Sequence, residues 1–117
     1  MRTHTTFYHM DRPVIAEAES YWEKKLPRVE HLLQHYAPDE AELRLTVWHY
    51  PQRVGYQARA VLHLPSGTLV AEETDKDLHA ALDATTDTLV RVLKKHEERL
   101  RHDDVYRRHR RTRADVS

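Results

Sequence analysis

The 117-residue chain has no cysteine. This excludes disulfides, cysteine-ligated zinc and a thiol nucleophile, and it makes a reducing compartment such as the cytoplasm the default expectation. There are only 2 glycines, too few to build a phosphate-cradling loop, and no G-x-G-x-x-G, P-loop or G-x-S-x-G pattern occurs. No enzymatic activity, cofactor or small-molecule substrate is therefore expected. No apolar run approaches the roughly 18 residues of a membrane-spanning helix, so no membrane partner is expected. The first residues, MRTHTTFYHMDRP, lack the apolar stretch of a secretory signal. With 39% hydrophobic and 32% charged residues, the chain suits one domain with a modest core.

Charge is plentiful but unevenly placed. The 19 cations and 19 anions cancel over the whole chain. The segment RVLKKHEERLRHDDVYRRHRRTR, residues 91–113, nevertheless holds 10 cations and 4 anions, a net of +6. Residues 1–90 hold 9 cations and 14 anions, a net of −5. Segregation on this scale marks a polyanion-binding end or a charged helix followed by a solvated tail, and charge alone leaves both open.

Thr3–Tyr8 is rich in β-branched and aromatic residues and reads as a strand. Asp11-Arg12-Pro13 then opens a helix. Ile15, Ala18, Trp22, Leu26, Val29 and Leu33 recur at helical spacing, with a kink or two abutting helices expected near Lys24–Pro27 because an interior proline removes a hydrogen bond. Ala41–His49 alternates, with Leu43, Leu45 and Val47 on one face. Gly55–Leu64 alternates again, and Thr68–Thr74 follows after Pro65-Ser66-Gly67. These three segments form an antiparallel meander with one buried face. Asp75-Lys76-Asp77 opens a second helix, whose apolar stripe runs through Leu78, Ala81, Leu82, Thr85, Leu89, Val92, Leu93, His96 and Leu100. The expected fold class is α+β in the order β-α-β-β-β-α. A four-stranded sheet carries both helices on one face, as in double-stranded-RNA-binding domains. The domain is expected over 1–102 and a basic flexible tail over 103–117.

Helical spacing sends Arg91, Lys94, Lys95, Arg101 and His102 to the outer face of the second helix, with Glu98 among them. On the first helix Lys24, Arg28, His31 and His35 point outward, with Lys25 at the flank. Side by side, the two faces form a basic surface suited to the phosphates of folded RNA. The alternative is a pair of solvated faces laced with i,i+4 ion pairs such as Asp87–Arg91. His31 and His35, also at i,i+4, lack a third ligand by spacing, so no metal is expected. Trp48, on the open sheet face, reads as an ordinary surface aromatic or a stacking platform.

The run ETDKDLHAALDATTDTLVRVLKKHEERL, residues 73–100, resembles the closing helix of the ribosome hibernation-promoting factor and ribosome-associated inhibitor family, also called ribosomal subunit interface proteins. The resemblance rests on Asp75, Asp77, His79, Ala80, Ala81, Leu82, Asp83, Asp87, Leu89, Leu93, Lys94, Lys95, His96, Glu97 and Leu100. YWEKKLPRVEHLL resembles the family's first-helix motif. The resemblance departs at Pro27, and at Tyr8–Pro13, where the family's common glycine is missing. It implies a short form, monomeric when free, that does not pair ribosomes by itself. It implies rRNA of the small ribosomal subunit as partner, with the chain in the mRNA–tRNA channel, blocking initiation. The RNA-binding residues it implies are Lys24, Lys25 and Arg28 on the first helix and Arg91, Lys94, Lys95 and Arg99 on the second. Arg101 joins them from the outer face. Arg107, Arg108, Arg110 and Arg111 join from the tail, as an arm of electrostatic reach. The competing expectations are a protein-interaction module, such as a transcription modulator, and a generic structured-RNA binder.

Overall fold

Alternation decides which way each strand faces. β2 (Glu42–Tyr50) turns Leu43, Leu45 and Val47 inward; β3 (Gly55–Leu64) turns Ala58, Ala60, Leu62 and Leu64; β4 (Gly67–Asp75) turns Leu69 and Ala71. The computed structural model describes the backbone of residues 1–116 and the side chains of residues 1–102. Antiparallel register lines the inward residues up in rows. Leu43 lies opposite Leu62, which lies opposite Leu69, and Leu45, Ala60 and Ala71 form the next row.

β1 (Arg2–Tyr8) completes the sheet at the β2 edge, in the order β1-β2-β3-β4. It runs parallel to β2, with Thr5 beside Leu45 and Phe7 beside Val47. A parallel neighbour needs a long crossover, and α1 (Arg12–Leu32) supplies it. The turn from β1 into α1 passes through His9 at φ 62, a left-handed conformation that costs a side-chain-bearing residue about 1 kcal/mol or more. Gly55 opens β3 at φ 84, where a Cβ would stand 2.7 Å from the Lys76 Cα.

α1 starts at Asp11 with a proline in its first turn, where the absent N–H is no loss. It buries Ala18, Trp22 and Val29. The helix is not interrupted at Pro27: of the two expectations near Lys24–Pro27, two abutting helices are corrected to one 21-residue helix. The physical reason lies in exposure. Pro27 and Glu23 both face solvent, so water can satisfy the Glu23 carbonyl that loses its i+4 donor.

α2 (Leu78–Val116) begins where Asp77 caps it: the Ala80 N–H donates to Asp77 Oδ2 at 3.0 Å. It buries Leu78, Ala81, Leu82, Leu89, Val90 and Leu93. Thr85 and Thr86 are also buried, each donating its hydroxyl at 2.8 Å to the carbonyl four residues back, Ala81 and Leu82 respectively. α2 packs on β3 and β4, and α1 packs on α2. One core cluster joins both helices to the inward strand residues, so both helices cover the same face of the sheet, as the sequence pattern predicts.

Candidate nucleic-acid interface

The helix seam is polar along its outer edge, and its pairs advance in step along both helices. His79 faces Glu17 at 3.3 Å, Lys25 faces Asp83 at 2.7 Å, Arg28 bonds Asp87, and His35 faces Glu97 at 3.4 Å. The two helices therefore run parallel. Tyr21 adds a hydroxyl bond to Asp83 at 2.7 Å, and the Lys25 ammonium sits 4.9 Å from the centre of the Tyr21 ring. The hydrogen bonds from Lys25 and then Tyr21 hold the Asp83 carboxyl below the usual aspartate range. Lys25 is raised in turn, chiefly by its bond to Asp83.

This seam alters the reading of the first-helix cations. Lys25 and Arg28 are on the surface, but both are engaged by carboxylates of α2. Asp87 bonds Arg28 across the seam rather than Arg91 one turn along, while Arg91 reaches the Thr88 hydroxyl at 3.5 Å. Sequence spacing offered Asp87 an i,i+4 partner in Arg91 and gave Asp83 none. Lys25 and Arg28 meet Asp83 and Asp87 only because the two helices lie side by side and parallel, which local spacing does not report.

Beyond Asp87 the exposed face of α2 turns basic. Arg91, Lys94, Lys95, Arg99 and Arg101 are all exposed, and so is Lys24 on α1. Among the described residues, none of these six makes an ion pair within 4 Å. Lys94 and Arg101 line a groove with His31 of α1 and His35 of the turn that follows it, while Lys95 and Arg99 line a second, shallower one with His102. Glu98 stands between the two grooves and lines both. The structure thus brings Lys94 and Arg101 together with α1, and leaves Lys95 and Arg99 on the far flank. The side chains of Arg107, Arg108, Arg110 and Arg111 lie outside the described residues; their backbone, expected as part of a tail from residue 103, continues α2, which runs to Val116.

A polar cluster that spacing did not reveal closes this end of the molecule. The Tyr36 hydroxyl bonds Glu97 Oε1 at 3.1 Å and Ser66 Oγ at 3.3 Å, and Ser66 Oγ lies 2.8 Å from His96 Nε2. It ties the end of α1, the β3–β4 turn and α2 together, which fixes the base of the basic stretch. His96, on the apolar stripe, is half-buried and satisfied by Ser66. On the opposite face of the sheet, Tyr8 and Trp48 stack at 5.9 Å. No group of three metal-ligating side chains occurs among the described residues.

The model of the sigma 54 modulation protein / S30EA ribosomal protein family matches residues 6–101. The chain belongs to that family. Among curated proteins, a ribosome hibernation promoting factor of Pseudomonas putida is 40% identical over 48 residues, covering 41% of this chain and 47% of that protein. The chain thus matches about half the length of this curated relative. Among solved structures, the N-terminal domain of Thermus thermophilus Protein Y is 26% identical with a TM-score of 0.59, covering 81% of this chain and 98% of that one. A ribosomal subunit interface protein from Coxiella burnetii has a TM-score of 0.61 at 22% identity, covering 84% and 99% of the two chains, and shares the fold. The family match takes in α1 and, of α2, the part up to Arg101, and so includes every described cation of the interface. No helix among the described residues is long and apolar enough to cross a membrane.

Proposed function

We propose that this protein is a stoichiometric ribosome inhibitor of the hibernation type, which binds rRNA in the mRNA–tRNA channel of the small subunit and blocks initiation. The observation that carries the reading is the basic second half of the α2 face. Arg91, Lys94, Lys95, Arg99 and Arg101 stand exposed there without ion-pair partners among the described residues, beside Lys24 of α1. Membership of the family supports rRNA as the polyanion in this reading. Phosphate contacts hold the protein in place, and its bulk excludes mRNA and tRNA; no bond is made or broken. Lys25 and Arg28 contribute charge at the margin, shared with Asp83 and Asp87. The arginines at 107, 108, 110 and 111 extend the same electrostatic reach.

The mechanism is tested by displacement. Labelled initiator tRNA and mRNA are assembled on purified small subunits and the protein is titrated in. Loss of tRNA with saturation near one protein per subunit is the expected result. Retention of tRNA while the protein is bound would place it elsewhere on the subunit and end the channel reading. The protein-partner alternative is separated by salt. Releasing counterions from six cations would make log affinity fall with log salt at a slope of about −4 to −5. A partner held by apolar contacts would show little slope.

A further inference from the structure

We propose that Asp87 sets the strength of polyanion binding by holding Arg28 against α2, so that phosphate must compete for this first-helix cation, while Asp83 holds Lys25 as a fixed tie between the helices. The inference rests on the phosphate-binding reading given above. Both carboxylates come from one face of α2, one turn apart, and each meets a different cation of α1. They sit immediately before the basic stretch begins, so a polyanion lying along that stretch meets them at its edge.

The two pairs are not equivalent, and their exposure separates them. The Arg28 and Asp87 side chains keep 52% and 64% of their accessible surface, so water and phosphate reach both groups. Lys25 and Asp83 keep 30% and 44%, and Lys25 is further held by the Tyr21 ring and hydroxyl network. Exposed pairs gain little from each other and exchange partners readily. Arg28 is therefore the cation that a phosphate can take, and Asp87 is the group that restrains it. Lys25 is a positioning residue that ties α1 to α2. Raised basicity at Lys25 and lowered basicity at Asp83 accord with that fixed role.

The test uses the full chain, with a labelled RNA hairpin and purified small ribosomal subunits as two separate probes, each over a salt series. The variants are Asp87→Asn, Arg28→Gln, the double variant and Asp83→Asn. Asp87→Asn frees one cation. It should tighten hairpin binding about five- to eightfold at 0.1 M salt and steepen the log–log slope by about 0.7–0.9. In the Arg28→Gln background the same substitution should do nothing to the slope. Asp83→Asn should change binding less than Asp87→Asn, because Tyr21 still holds Lys25. Thermal denaturation of each variant checks that the fold is retained, and a purely structural role for Asp87 would move the melting temperature without the slope. Wild-type binding that Asp87→Asn leaves unchanged would overturn the inference alone. So would a gain that persists without Arg28. Failure of the wild-type chain to bind either probe would overturn the phosphate-binding reading, and this inference with it.

Discussion

Replacing Trp22 by alanine tests whether α1 is held to the sheet by burial, which is what places Lys24 and Arg28 beside α2. Trp22 is 2% exposed and lies between the buried Ala18 and Val29 on the inward face of α1. A buried tryptophan removes about 150–250 Å² from water. At about 25 cal/mol per Å² that is roughly 4–6 kcal/mol, of which alanine retains a part. Tryptophan-to-alanine substitutions in cores cost about 3–5 kcal/mol. A domain of this size has roughly 5–15 kcal/mol in total, so the loss is a large fraction of it. The assay is urea unfolding followed by circular dichroism, with the half-buried Trp48 as the remaining fluorophore. With a denaturant slope of about 1–1.5 kcal/mol/M, the midpoint should fall by about 2–5 M. Trp22→Phe should lose less than half as much. A midpoint shift below about 0.5 M for the alanine variant would refute the packing argument and detach α1 from the account of the core.

Three further outcomes are expected. Gly55→Ala should cost about 2–4 kcal/mol in the same assay, because its φ of 84 disfavours a side chain and a Cβ would press on the Lys76 Cα; an unchanged midpoint would contradict it. His9→Gly should gain about 0.5–1 kcal/mol by relieving the left-handed backbone at φ 62, read as a rise of a few degrees in melting temperature. The stability gap between wild type and Asp83→Asn should be present at neutral pH and close at both extremes. Asp83 is lowered in the folded state, so its contribution is complete above the unfolded value near about 4 and is lost as pH falls through the lower folded value. Lys25 is raised, so its share is present below about 10.4 and is lost as pH climbs through the higher folded value. Melting curves from acid to alkaline pH check this, and a gap independent of pH would refute it.

The fold was legible because it depends on period. Leu43, Leu45 and Val47 alternate, as do Ala58, Ala60 and Leu62, and every one of them is buried. The α2 stripe was legible for the same reason from Leu78 to Leu93, except at Thr86 and Val90, where polarity and a widened buried face hid two inward positions; beyond it Leu100, expected inward, is exposed, because the stripe outruns the sheet. Pro27 did not split α1, because propensity counts the lost hydrogen bond but not whether water can replace it. The basic stretch of α2 could be read as exposed from spacing alone. The state of Lys25 and Arg28 could not, because it depends on which groups of a second helix face them. Arg28 and Asp87 lie 59 positions apart, and no local pattern reports a partner at that range. The Tyr36–Ser66–His96–Glu97 cluster was hidden likewise, since it draws on three separate elements.

The most direct measurement is co-sedimentation of the chain with purified small ribosomal subunits across a salt series, beside a Lys94→Glu/Lys95→Glu variant and a truncation after His102. The account predicts saturable one-to-one binding by the wild-type chain, a steep fall with salt, and loss of binding in the charge-reversal variant, with the truncated chain still pelleting at low salt. Absence of wild-type pelleting at low salt, or equal pelleting of wild type and charge-reversal variant, would contradict it.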